Sequence, residues 1–166
     1  MKLFSAATVS TALVGLASAL DLRLYTAINC DASFGWRQCG NLPAGVCCSA
    51  PDVPAAAMSL SSLAGVADFS GWGNQGCQAP LALRSSSGGC VSGGFAFFSG
   101  NWRSNSRIAS AASDATTDCV DPDTFGFVDE SGKEHTGKIT AANKGAIDAA
   151  FKKGDIAALK TVAAAA

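Results

Sequence analysis

The side chains in this chain that could do chemistry are few and of four kinds. There are seven cysteines, at positions 30, 39, 47, 48, 77, 90 and 119, and one histidine, His135. Three tryptophans, Trp36, Trp72 and Trp102, could offer rings to a ligand, and Asp114, Asp118, Asp121 and Asp123 crowd around Cys119. A serine triad would need His135, but the strand-to-helix G-x-S-x-G elbow is absent and His135 lies among charged residues on an expected hairpin. Calcium could use the aspartates, yet their order lacks the alternating acidic positions, glycine and bidentate glutamate of a calcium loop, so a solvated acidic loop is expected. One histidine makes a zinc site improbable on count. Neither a metal nor an organic cofactor is expected.

The cysteines are better read as staples. Four of them fall in the nineteen-residue stretch CDASFGWRQCGNLPAGVCC, which begins at Cys30 and ends at Cys48. Cys47 and Cys48 share one planar peptide, so bonding each other would cost heavy strain. In an extended segment their side chains point to opposite faces, and each must find a different partner. Disulfides are therefore expected among Cys30, Cys39, Cys47, Cys48, Cys77 and Cys90, with their pairing open. Seven is odd, so one thiol stays free or pairs between chains as a disulfide-linked dimer. Cys119, outside the compact part, is the expected odd one.

Disulfides imply an oxidising compartment. The chain opens with Lys2, an apolar stretch from Leu3 to Leu16 and the small-residue site Ala17-Ser18-Ala19, the pattern of a cleavable signal peptide over residues 1–19. A transmembrane anchor is the weaker reading, because serines and threonines dilute the run and Asp21 and Arg23 follow it. Loss of Lys2 would leave 11 basic against 13 acidic residues, a net charge of −2 from the −1 of the whole chain. That balance excludes the basic face needed for nucleic acid or an anionic membrane. Sequons for N-glycosylation are absent.

The elements that must position these residues read as mainly β. Residues 20–27 alternate apolar and polar side chains, and residues 46–48, 57–63, 65–70, 81–83 and 94–98 are further strand candidates. Residues 101–117 read as a loop. Phe69-Ser-Gly-Trp72 echoes Phe98-Ser-Gly-Asn-Trp102, as a duplicated Greek-key motif would. A hairpin over 125–139 and helices over 141–153 and 156–162 follow, with Gly154 as a stop and Asp155 as a cap. The expected architecture is a small disulfide-stapled β-sandwich or Greek-key domain over 20–119, then a β-hairpin and helical tail over 120–166.

The leader, the block C-G-N-L-P-A-G-V-C-C ending at Cys48, the spaced Cys77 and Cys90, and the tail from Phe125 to His135 resemble small secreted cysteine-rich proteins of filamentous fungi, the effector-like group. Hydrophobins, with eight cysteines and two CC doublets, are a poorer match. The resemblance implies an extracellular, non-enzymatic protein and brings no catalytic residues with it. The functional expectation is a secreted binding protein, effector-like or defence-type, that recognises an extracellular protein or polysaccharide through rigid loops. Trp36, Trp72 and Trp102 are its candidate ligand contacts, with core packing as their plainer role. The alternative is a small cell-wall-active hydrolase or a hydrolase inhibitor. An enzyme should gather carboxylates of perturbed pKa in a cleft, and a binder should expose an aromatic patch without them.

Overall fold

A computed structural model describes residues 19–87, 89–105 and 118–165. Residues 1–18 of the expected leader, and Asp114, lie outside the described residues. Among these residues eleven strands and two α-helices follow in chain order: β1 (Ala19–Tyr25), β2 (Trp36–Pro43), β3 (Cys47–Ser49), β4 (Ala55–Leu60), β5 (Val66–Trp72), β6 (Leu81–Ser85), β7 (Cys90–Phe97), β8 (Ser99–Ser104), β9 (Cys119–Val120), β10 (Thr124–Val128), β11 (Glu134–Lys138), α1 (Lys144–Lys153) and α2 (Ile156–Ala164). The molecule is mainly β, as expected, with its helices at the C-terminal end.

The strands form two sheets, ordered β11-β10-β2-β1-β4-β7 and β6-β5-β8-β3-β9. Their centres have the same plan. Adding four to each label turns β2-β1-β4 into β6-β5-β8, and the third strand of each motif crosses to the other motif's sheet, β3 beside β8 and β7 beside β4. These are two interlocked Greek-key motifs related by a pseudo-twofold. Neither can close its own sheet, so the two must fold together.

The duplication lies in backbone geometry more than in repeated words. After β1 the chain turns through Asn29 and Cys30 at φ 59° and 53°, and after β5 through Gly76 and Cys77 at φ 67° and 56°. Such left-handed pairs are costly away from glycine and asparagine. Each is tied down in the same way. The Asn29 N–H donates to Ser92 Oγ at 2.9 Å, and the Gly76 N–H to Ser49 Oγ at 3.3 Å. Both serines stand two residues after a cysteine, Cys90 or Cys47, which bridges to the cysteine of the same turn. The words that echo in the sequence, Phe69–Trp72 and Phe98–Trp102, are instead neighbours in one sheet, with Phe69 opposite Trp102.

The sandwich interior follows from alternation. Leu22 and Leu24 of β1, Met58 of β4, Phe69 of β5, Phe97 of β7 and Trp102 of β8 are buried against one another. Trp102 Nε1–H finds Leu42 O at 3.0 Å, which satisfies its one buried donor. Residues 101–104, expected as loop, belong to β8. Their polar composition reflects a strand whose Asn101 and Arg103 look outward while Trp102 looks in. β2 also escaped the sequence reading, since its buried positions are Trp36, Arg37, Cys39 and Leu42, which follow no alternation of apolar and polar residues.

The C-terminal segment extends the first sheet. β10 pairs antiparallel with β2 (Thr124 to Gln38, Phe125 to Arg37, Gly126 to Trp36), and β11 pairs with β10. Phe125 and Phe127 face away from Trp36 and form a second core with Val53, Ile147, Phe151 and Leu159. Here α1 and α2 cover the sheet where the second sheet does not reach. α1 starts at Lys144, three residues later than expected, because Thr140 organises a turn: its carbonyl accepts from the N–H groups of Asn143 and Lys144. Gly154 ends it at φ 66°, and Asp155 caps α2 through Ala158 N–H at 2.9 Å, both as expected.

Gly126 is where β10 meets the Trp36 indole. A Cβ there would clash with Cζ2 and Cε2 of the ring and lie 2.7 Å from His135 O. Gly126→Ala should therefore cost about 2 kcal/mol or more through overpacking. Thermal unfolding should show a lowered Tm with the three disulfides intact by mass; an unchanged Tm would show that the hairpin is not held by this contact.

Candidate binding surface

The six bridged cysteines pair as Cys30–Cys90, Cys39–Cys48 and Cys47–Cys77. The CC doublet does what its geometry requires. Cys48 turns into the sandwich toward Cys39 on the opposite sheet, while Cys47 turns to the outer face and the Cys77 turn. Cys119 is exposed and unbridged. It sits on β9, directly opposite Cys47, with its sulfur 3.7 Å from the position a Cβ on Gly76 would take.

The tryptophans divide. Trp36 and Trp102 are each 1% exposed, which corrects their candidacy as sugar platforms: β10, β2 and the sandwich core have absorbed their apolar area. Trp36 is further sealed by Arg23, whose guanidinium stacks 3.9 Å from the ring centroid while its Nε donates to Gln38. Trp72 alone stays half-buried on the outer face of the second sheet, its Nε1–H donating to Asn101 Oδ1 at 3.1 Å.

Around Trp72 lies an apolar strip that the sequence reading missed. Leu81 is paired with Trp72 across β5 and β6 and is 42% exposed; Phe95 is 45% exposed. Phe95 stands on a bulge of β7: Phe97 pairs with Ala55 and Ser92 with Ala57, so four residues, 93–96, bulge out opposite Ala56. Its ring and Pro80 both crowd Gly73, where a Cβ would come within 2.9 Å of the ring and 3.0 Å of Pro80. The signal was present in Gly93-Gly94-Phe95-Ala96-Phe97-Phe98. Two glycines before three phenylalanines in four positions mark a strand whose alternation must break.

A concavity of about 700 Å³ lies between the β10–β11 turn and α2. Phe127, Val128, Ile156 and Ala157 form its apolar lining, with Ser33, Asp129, Glu130, Ser131 and Lys160 around it. Asp129 is fully engaged there. It accepts from the Ser131 hydroxyl (2.6 Å), from the Ser131 and Lys133 N–H groups (2.9 and 3.1 Å) and from His135 Nε2 (2.7 Å). Led by the Ser131 hydroxyl and His135, these bonds hold its carboxyl well below the usual range. His135 in turn stacks on Phe127 at 5.0 Å.

Of the acidic cluster, Asp118, Asp121 and Asp123 are exposed, and Asp123 accepts from Gly40 N–H and lies 3.8 Å from Lys138 Nζ. Among the described residues no group of three or more His, Cys, Asp or Glu side chains gathers to hold a metal. Nor, among them, is any helix long and apolar enough to cross a membrane.

Residues 21–123 match the family model ARB_05566_N, described as an N-terminal domain. The chain belongs to the ARB_05566_N family. The match spans both Greek-key motifs and β9 and ends where β10 begins. No curated protein and no solved structure matches the chain.

Two outcomes follow from this geometry. Oxidised protein should react with a thiol reagent once per chain without denaturant, and Cys119→Ser should abolish that reaction; four or more reactive thiols would contradict the pairing. Because the Asp129 pKa is depressed, its stabilisation is complete above the unfolded value near 3.8 and is lost as pH falls through the folded value. The Tm advantage of wild type over Asp129→Asn should hold steady from pH 7 to about 4 and shrink below that.

Proposed function

We propose that this ARB_05566_N domain protein is an extracellular, non-enzymatic recognition protein, effector-like or defence-type, that engages a protein or glycan partner. The observation that carries the reading is the strip of Trp72, Pro80, Leu81 and Phe95: aromatic and aliphatic side chains held half out of the core by a bulge and a stapled turn. Apolar groups kept at the surface on a rigid frame mark contact sites, since little ordering entropy is lost when they are covered. Three disulfides support an oxidising, extracellular setting.

The hydrolase alternative draws no support from the concavity beside α2. A general acid there would need a carboxyl pushed upward and free to give its proton. Asp129 is pushed downward instead, and its oxygens are occupied by the turn it organises.

The test is retention of oxidised protein on insoluble chitin, β-glucan and cellulose, and on proteins of an extracellular extract, with Phe95→Ala and Leu81→Asp alongside. Both replaced side chains are about half exposed, so each variant should stay folded and lose about 1 kcal/mol of stability. Retention should fall at least tenfold in both variants. Release of soluble sugar from any polymer, unaffected by the strip variants, would overturn the reading in favour of a hydrolase.

A further inference from the structure

The outer face of the first sheet carries a hollow that neither the apolar strip nor the helical tail uses. Asp21, Arg23 and Tyr25 are alternate residues of β1 and point outward, because Leu22 and Leu24 fill the sandwich. Arg23 has Gln38 of β2 opposite it on one side and Ser59 of β4 on the other. Its side chain is drawn wholly to the β2 side. The guanidinium stacks on Trp36 at 3.9 Å, Nε donates to Gln38 Oε1 at 2.8 Å and Nη1 donates to Glu134 Oε1 at 3.1 Å. On the β4 side, Ser59 and Ser61 are too short to fill the space that is left. A concavity of about 210 Å³ opens there, bounded by Asp21, Arg23, Tyr25, Gln38 and the segment Ser59–Ser61.

The fold sets these groups in place before any ligand arrives. Asp21 Oδ1 accepts from Asn41 N–H at 2.9 Å, and Ser61 Oγ accepts from Asp21 N–H at 3.0 Å. Tyr25, 7% exposed, accepts from the Ser59 hydroxyl at 3.3 Å. Bonding capacity is left over. Among the described residues Asp21 Oδ2, Arg23 Nη2 and Gln38 Nε2 have no hydrogen-bond partner, and the Tyr25 and Ser61 hydroxyls each keep a proton to donate. Donors and acceptors therefore face the same small space. Asp21 and Glu134 against Arg23 sum to one negative charge, and Glu134 already neutralises the arginine. An anion would have to displace Glu134 and face Asp21, so the hollow suits a neutral polar molecule.

We propose that this hollow is a monosaccharide subsite, which takes the terminal neutral pyranose of a glycan. Each sugar hydroxyl both donates and accepts, as the mixed lining requires. Neighbouring hydroxyls of one ring can bond a carboxylate and a guanidinium together, and such charge-assisted bonds are the stronger kind. Size sets the limit to one ring. At about 30 Å³ per water the hollow holds about seven waters, below the roughly 300 Å³ at which drug-sized pockets begin. Because the lining is already fixed, little ordering entropy is lost on binding. The site goes beyond the Trp72 strip of the recognition reading and lies on the other sheet, so either can fail alone.

Isotope-labelled, oxidised protein is titrated with the methyl glycosides of glucose, galactose, mannose and N-acetylglucosamine to high millimolar concentration. Glycine and sodium phosphate serve as counter-probes, and backbone amide shifts are followed. The expected result is saturable shifts with at least one glycoside, confined to residues 21–25, 36–38 and 59–61, and none with glycine or phosphate. Two variants should each weaken that binding at least tenfold with an unchanged near-ultraviolet spectrum. Ser59→Leu fills the hollow from the open face of β4, and Asp21→Asn removes the charge while keeping an acceptor for Asn41 N–H. Leu81→Asp, on the strip, should leave the binding unchanged. Absence of shifts with every glycoside, shifts at these residues by glycine or phosphate in place of sugar, or glycoside shifts on the Trp72 strip would each overturn the subsite. Glycoside shifts that persist while the strip variants retain their partner undiminished would support the subsite and overturn the strip reading.

Discussion

Everything in this molecule hangs on strand exchange between the two motifs and on the cysteine doublet that fastens one exchanged strand. β3 leaves its own motif to join the opposite sheet between β8 and β9, and its three residues are held from both faces. Cys48 holds it from within the sandwich through Cys39, and Cys47 from outside through the Cys77 turn. One planar peptide forces the two sulfurs apart, and that separation is what lets a three-residue strand join two layers. On the other motif the exchanged strand β7 is longer and carries one cysteine, Cys90, which bridges to the Cys30 turn alone.

The tail is joined to this frame through a seam with unusual chemistry. Arg37 of β2 is 2% exposed and sits between the sandwich core and the helical core. Burial pushes its pKa down to about 10, against the opposing pull of Asp148 and Asp52. A guanidinium still carries its charge at that value. It donates to Val53 O and faces the Phe151 ring at 5.8 Å. Lys144 ties Asp52 of the sandwich to Asp148 of α1 at 2.6 and 2.8 Å, so one cation at the rim aligns both carboxylates toward the buried one. Such a site is costly to break, because removing either carboxylate strands a buried charge. It couples the hairpin and helices to the sandwich although the matched family domain stops at residue 123.

The same tail makes the two motifs unequal. It covers β2, buries Trp36 and builds the concavity beside α2, while β6 and the Leu81–Phe95 strip keep their apolar surface. The covered half spends the same surface on internal stability. The position of the strip, on an edge strand beside a bulge, follows from that division.

Much was legible in the chain itself. Periodicity marked β1 and the C-terminal hairpin, Gly154 and Asp155 marked the break between the helices, and the parity of the cysteines left one sulfur over. These signals are local, set by backbone sterics and by valence, and they survive any packing. The pairing of the cysteines, the roles of the tryptophans and the location of the exposed strip were not legible. Trp36 and Trp72 look alike in sequence, each following a glycine, yet only β10, ninety residues beyond Trp36, decides which one is sealed. The left-handed turns at Asn29–Cys30 and Gly76–Cys77 likewise share almost no letters. Their equivalence is a matter of dihedral angles and of Ser92 and Ser49 brought from the other motif. Burial and register are properties of long-range partners, and those partners exist only once the two motifs have exchanged their strands.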